Sequence, residues 1–275
     1  MSFLLRTFIV FIAFPLFTYG QLQVAKQKSL VSGTWKLVWA DDFNYNGLPD
    51  TLKWSYDVGG EGWGNNEEQY YTCADTTNAI VKNGVLTITA RKKKFHSNNY
   101  TSARLTTKNK YSIRYGRIEV RAKLPQGRGL WPAIWMLPVD SKYGIWPNSG
   151  EIDIMEHVGY QADTIYSSIH TGKFNHLKNT QKTQALSVPD LYASFHVFRV
   201  EWQPESLSFF VDGKKYMTVA NTKNGAAEWP FNENFYLLLN LAVGGDWGGK
   251  MGVDNNIFPA RMEIDYVRIY KHNHK

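Results

Sequence analysis

From Gly33 onward, short apolar runs alternate with turns rich in Gly, Asn, Asp and Pro, and inside many runs hydrophobic and polar residues alternate singly. That spacing is the period of a half-buried strand; no stretch sustains the spacing of an amphipathic helix. The pattern predicts strands at 35–39, 85–90, 100–106, 111–124, 133–137, 151–158, 164–170, 196–202, 207–211, 235–243 and 262–270. The run 235–243 is apolar nearly throughout, and its bounds, Pro230 before and Gly244-Gly245 after, fit a buried strand better than a helix. Many short strands with no helical half and no repeat predict an all-β fold, a β-sandwich of the jelly-roll kind. No linker divides it, so 34–272 reads as one domain, preceded by a lead-in at 21–33. Residues 173–191 read as a long polar loop rich in Thr, Gln, Lys and Asn.

One stretch breaks the alternation. Residues 150–159 place Glu151, Asp153 and Glu156 among Ile152, Ile154, Met155 and Val158. On a helix the three acids share no face. On a regular strand Glu151 and Asp153 point the same way, but Glu156 is an odd step further and points away. A β-bulge at Ile154-Met155 sets two residues against one on the neighbouring strand and returns Glu156 to the acidic face. Three like charges in one row repel, so the row calls for a use: a metal site, or a glycosidase pair with one carboxylate as nucleophile and one carboxylic acid as proton donor. An exposed acidic strand is the plain alternative. No His pair or carboxylate–His spacing of the usual ligand kind accompanies the acids, which weakens the metal reading.

Composition narrows the class. The 275 residues are 43% hydrophobic and 15% aromatic, enough for a large core. The first twenty combine one cation, Arg6, an apolar run from Phe8 to Phe17 and small or neutral residues before Gln21, the pattern of a signal peptide at 1–20. The run is short for a membrane span, so the expectation is a secreted protein, extracellular or periplasmic, with no membrane attachment after processing. Only Cys73 is present, which excludes an intrachain disulfide, and nothing beside it would activate a thiol nucleophile. The net charge of +7 and the run Arg91-Lys92-Lys93-Lys94 raise the question of nucleic acid. That run follows a strand and precedes polar residues, so it reads as a solvated loop, and no nucleic-acid partner is expected.

Nine of the ten tryptophans fall into two groups. Trp35, Trp39, Trp54 and Trp202 read as core. Trp63, Trp131, Trp135, Trp146 and Trp247 sit among Gly, Pro and Asn, and flat indole faces suit the C–H faces of sugar rings. Asn65, Asn66 and Arg104 are candidate donors to sugar hydroxyls, with turn and surface roles as the alternative, and His170 ends a strand-like run soon after the acids.

The chain resembles glycoside hydrolase family 16, and within it the laminarinase-like endo-β-1,3-glucanases. The resemblance rests on Glu-Ile-Asp-Ile-Met-Glu at 151–156 and on matches at 39–43, 62–67, 100–104, 115–119, 131–138, 239–245 and 265–270, which span essentially the whole mature chain. It implies a jelly roll with a concave substrate groove and a retaining mechanism. In it Glu151 is the nucleophile, Glu156 the acid/base, and Asp153 the residue between them that tunes protonation. Asn65, Arg104, Trp131, Trp135, Trp146, His170 and Trp247 are then the expected substrate-binding residues, a β-1,3-glucan the expected partner, and a monomer the expected state. The resemblance implies no cofactor for catalysis but a structural calcium on the convex side, held by Asp42, the carbonyl of Gly84, and Asp265. The family also holds lichenases and xyloglucan enzymes, which have one residue fewer between the acids, and agarases and carrageenases, which share the bulge. Mixed-linkage β-glucan, agarose and carrageenan are therefore the alternative substrates. A non-catalytic glucan-binding protein is a further alternative, although such proteins lack one or both catalytic glutamates.

Overall fold

A computed structural model describes residues 35–273; the signal-peptide and lead-in readings lie outside the described residues. Seventeen strands among these residues, numbered in chain order, make two sheets. The larger runs β15 (Lys214–Ala220), β14 (Ser206–Val211), β13 (His196–Gln203), β8 (Gly116–Lys123), β17 (Ala260–His272), β5 (Val85–Phe95), β6 (Asn98–Ser102) and β3 (Gln69–Tyr71). On this sheet β1 (Trp35–Asp41) adds to β17 and β4 (Ala79–Lys82) to β5. The smaller sheet runs β12 (Lys182–Ser187), β11 (Thr164–His170), β10 (Glu151–His157), β9 (Leu130–Pro138), β16 (Phe235–Val243), β7 (Arg104–Thr106) and β2 (Ser55–Asp57). This is the expected two-sheet jelly roll.

Period two decides what lies between the sheets and what does not. On β16, Phe235, Leu237, Leu239, Leu241 and Val243 enter the core, while Asn240 and Ala242 turn to the other face and line a cleft. On β9, Leu130, Ile134 and Met136 are core, and Trp131, Ala133, Trp135 and Leu137 line the same cleft. Each large apolar side chain buried in this way contributes about 1.5–3 kcal/mol. The core thereby fixes the seven-stranded sheet as a firm floor, and every second residue of that floor is free for chemistry.

The structure departs from the pattern in several places. Strand β8 begins at Gly116, not at 111, because Tyr115 adopts a left-handed φ of 60° that ends an extended run. A Cβ on Gly116 would lie 2.5 Å from the carbonyl of Tyr270, so the chain passes too close to β17 for a larger residue. The run 100–106 divides at Ala103: β6 belongs to the larger sheet and β7 to the smaller. The basic run at 91–94 is solvated but is no loop, since it continues β5 to Phe95 and pairs with β6. Residues 173–191 contain a 3₁₀ turn at His176–Lys178 and the edge strand β12, whose mostly exposed polar side chains hide it from a hydrophobic pattern. Trp54 and Trp202 are core as expected. Trp35 and Trp39 are only half-buried: Trp35 lies under the guanidinium of Arg117, and Trp39 stacks on Tyr111.

Candidate active site

The bulge in β10 is where the sequence places it. Asp153 pairs with Ser168 of β11 and the next paired residue is Glu156, opposite Tyr166. Against β9 the register slips between Asp153 and Met155. Ile154 and Met155 both enter the core as a consequence, and Glu151, Asp153 and Glu156 all line one cleft of about 390 Å³. The burial of two successive apolar residues is what turns the third acid round.

Each glutamate meets an indole. Trp146 donates from Nε1 to Glu151 Oε2 at 2.8 Å, and Trp131 donates from Nε1 to Glu156 Oε1 at 3.1 Å. Asp153, 2% exposed, shares a hydrogen bond with Glu151. His170 lies beneath the acids, its Nε2 3.3 Å from Asp153 Oδ2 and 3.9 Å from Glu151 Oε1. Burial pushes all three carboxyls up. Glu151 rises to about 8 through burial and then the charge of Asp153. Glu156 rises to about 7 through burial, against the lowering influence of His170. Asp153 is held well above the ordinary range by burial and then by Glu156. Acids so close titrate as a set, and the set retains protons near neutrality. Glu151 and Asp153 share a proton through their hydrogen bond, and the Trp146 N–H is placed to stabilise negative charge on Glu151. The fold also assembles what sequence spacing did not offer, a His beside two carboxylates: ligand atoms of Glu151, Asp153 and His170 lie within 4.8 Å of one another.

On the β9–β16–β7 side, the cleft is built from strand positions. Arg104 of β7 lies between two indoles, 4.7 Å from Trp63 and 4.7 Å from Trp135, and its Nε bonds Asp57 at 2.9 Å. A directed hydrogen-bond chain runs underneath. Trp135 Nε1 donates to Asn240 Oδ1 (2.7 Å), Asn240 Nδ2 to the Tyr71 hydroxyl (3.0 Å), and that hydroxyl to Glu67 Oε2 (3.1 Å). Gln69 also donates to Glu67, at 2.6 Å, and Asn65 does so at 3.4 Å. The chain ends on a buried carboxylate, and so every donor along it has a fixed direction. Glu67, Asn240 and Tyr71 escaped the sequence reading. Asn240 carried a usable signal as the one polar residue in an apolar run, in phase with Ala242.

On the β11–β12 side the wall is a loop. His176 and Leu177 line the cleft, and the His176 ring is 5.0 Å from Trp146 and 5.2 Å from His170. Neither residue was anticipated. Of the expected binding residues, Asn65, Arg104, Trp131, Trp135 and Trp146 line the cleft and Trp63 joins them. His170 supports the acids from below. Trp247 is not on the wall itself: it packs edge-on to Trp131 (5.5 Å) and Tyr166 (5.1 Å) and so braces it. Asn66 ties two loops together by donating to Asp246 at 2.9 Å.

The calcium expectation fits in position only. Asp41 pairs with Val267 and Ile264 with Leu86, which brings the chain at Asp42, Gly84 and Asp265 together where the ends of β1 and β5 meet along β17. The Asp42 carboxylate, however, accepts from Arg268 at 2.9 Å and that of Asp265 from Arg121 at 2.9 Å. Guanidinium groups on both carboxylates disfavour a dication that needs six to eight oxygens. As arranged, these residues do not fit the ion.

A groove floored by a bulged strand of three partly protonated carboxyls and walled by indoles is the equipment of a polysaccharide hydrolase. Comparison with known proteins carries this further. A model of glycosyl hydrolases family 16 matches residues 66–268. A β-glucanase of Rhodothermus marinus is 52% identical over 244 residues, covering 86% of this chain and 85% of that protein. The X-ray structure of the laminarinase from Rhodothermus marinus superposes with a TM-score of 0.86 at 51% identity, covering 87% of this chain and 98% of that one. A glucan endo-1,3-β-glucosidase A1 of Niallia circulans is 40% identical over 258 residues, 86% of this chain and 38% of that longer protein. The chain belongs to glycosyl hydrolases family 16.

Proposed function

We propose that this protein is a secreted, retaining endo-β-1,3-glucanase. The observation that carries the reading is the bulged β10, which presents Glu151 and Glu156 to one cleft, each under an indole N–H. The names of the similar proteins support β-1,3-glucan as the substrate class.

The roles follow from the environments. Asp153 keeps the shared proton, which leaves Glu151 ionised and steadied by Trp146 to attack the anomeric carbon. Glu156, its pKa raised to about 7 by burial so that its protonated form persists toward neutral pH, gives its proton to the departing glycosidic oxygen. The C–O bond to the leaving sugar breaks as the bond to Glu151 forms. Glu156, now a carboxylate, then takes a proton from water, whose oxygen displaces Glu151 and frees the sugar with its original configuration. His170 keeps the crowded acids in place and lowers the cost of their charge. Export is part of the same reading, since the substrate is a polymer met outside the cell; N-terminal sequencing of the exported protein tests the processing site.

The deciding experiment is product analysis with laminarin, mixed-linkage β-glucan, agarose and carrageenan, run beside Glu156→Ala. Short β-1,3 oligosaccharides from laminarin, lost in the variant, are expected. Release from agarose or carrageenan alone would move the substrate assignment and leave the mechanism standing. Binding without release would make the protein a glucan-recognition module.

A further inference from the structure

The β11–β12 connection is an unusual wall for a cleft. It leaves Leu177 71% exposed, yet the turn that presents it is tightly held. Asn175, 1% exposed, anchors it: its Nδ2 donates to the Thr171 carbonyl at 2.9 Å and its Oδ1 accepts from Lys178 N at 3.3 Å. The hydroxyl of Thr180 donates to the Lys173 carbonyl at 2.9 Å and accepts from Asn175 N at 3.2 Å. Asn179 closes the turn at a left-handed φ of 52°, its N–H on the His176 carbonyl at 3.0 Å. The exposed leucine is therefore held in one place.

Exposure alone says little, since single exposed leucines are ordinary. Leu52, 83% exposed, is one, and it lines no part of the cleft. Leu177 differs by what stands in line with it. Outward from the reacting centre come Glu151, the Trp146 indole that bonds it, the His176 ring at 35° to that indole, and then Leu177. This row offers an apolar surface for the C–H face of a pyranose, followed by ring nitrogens able to exchange hydrogen bonds with hydroxyls. Burial, and then His170, depress the His176 pKa, so its ring is neutral at pH 7 and can both donate and accept.

We infer that His176 and Leu177, together with the outer face of Trp146, form a subsite for one further glucosyl ring, on the side of β10 opposite Arg104. The inference rests on the glucanase reading and deepens it. The ligand class is a β-linked glucose chain already engaged at the carboxylates, because the subsite continues the same cleft.

The test compares Leu177→Ser with Leu52→Ser, the same change on two exposed leucines, on β-1,3-linked gluco-oligosaccharides of graded length. Leu177→Ser is expected to raise KM for the longer oligomers roughly three- to tenfold and to shift the main cleavage position, while Leu52→Ser matches wild type. Unchanged melting temperatures in both variants would assign the effect to binding. An unchanged KM and product ladder for Leu177→Ser, on oligomers that wild type cuts, would overturn the subsite alone. Failure of wild type to cut any of the oligomers would overturn the glucanase reading and the subsite with it.

Discussion

The two sides of β10 are built on different principles. Toward β9, β16 and β7, each wall residue holds a strand position: Trp135 faces Asp153 across the ladder, and Asn240 lies between Ala133 and Arg104. Register sets these side chains, and the chain ending on Glu67 locks their orientation. Toward β11 and β12, the wall is a turn held by its own hydrogen bonds and carrying Leu177 at its tip. A sheet-borne wall cannot change one residue without disturbing the ladder and the core behind it, whereas a loop-borne wall can. The first side suits what every substrate shares, and the second suits what distinguishes one chain length or linkage from another.

The largest effect lies on the strand between the two sides. Glu151→Gln is expected to lower kcat by on the order of 10⁴ or more while both walls still bind oligosaccharide, measured by turnover and by calorimetry. Near-full activity would remove Glu151 from the nucleophile role. Next comes the sheet-borne wall: Arg104→Ala removes the cation between Trp63 and Trp135 and strands Asp57. A KM increase of roughly ten- to a hundredfold is expected, and a value close to wild type would mean the stack is merely structural. Glu67→Gln should act more gently, because the side chain keeps one acceptor for Tyr71 and Gln69 but turns a donor toward Asn65. A roughly three- to tenfold rise in KM at constant kcat is expected, and a loss confined to kcat would contradict a positioning role for the chain.

A smaller effect concerns stability. Glu156 has a folded pKa raised to about 7, above its unfolded value, so between those values the folded state binds the extra proton and stability falls as pH rises. Glu156→Gln should therefore raise stability at pH 8 by on the order of 1–2 kcal/mol and hardly at pH 4, as read by denaturant melts. An equal gain at both pH values would assign it to packing. Smallest of all, excess chelator should leave the melting temperature unchanged, because Arg268 and Arg121 already satisfy Asp42 and Asp265. A clear drop would restore the calcium site.

The same contrast explains what the sequence revealed. The bulge and both glutamates were legible because parity along one strand is local information, and Trp131 and Trp135 were legible from their Gly- and Pro-rich context. Glu67 was not: Glu67 and Glu68 are adjacent, and Glu67 is held beside the cleft by Gln69 and Tyr71, which are themselves tied to the distant Val243 and Asn240. His176 and Leu177 were hidden in a polar stretch whose order comes from the side chains of Asn175 and Thr180. Trp247 looked like a wall residue because a Gly-rich context predicts exposure but not which ring will lie in front of another.

The bulge also bears on how this strand tolerates editing. Glu151 and Glu156 are five residues apart, and the two-for-one step at Ile154-Met155 restores their common face. Delete either Ile154 or Met155 and the separation becomes four, an even number that a regular strand satisfies unaided. The site is thus readable in two spellings, one flat and one kinked, and a single-codon indel passes between them without turning either acid into the core. What such an edit alters is the twist of the floor and the angle at which a polymer must lie across it, so substrate shape can drift while the pair that breaks the bond persists.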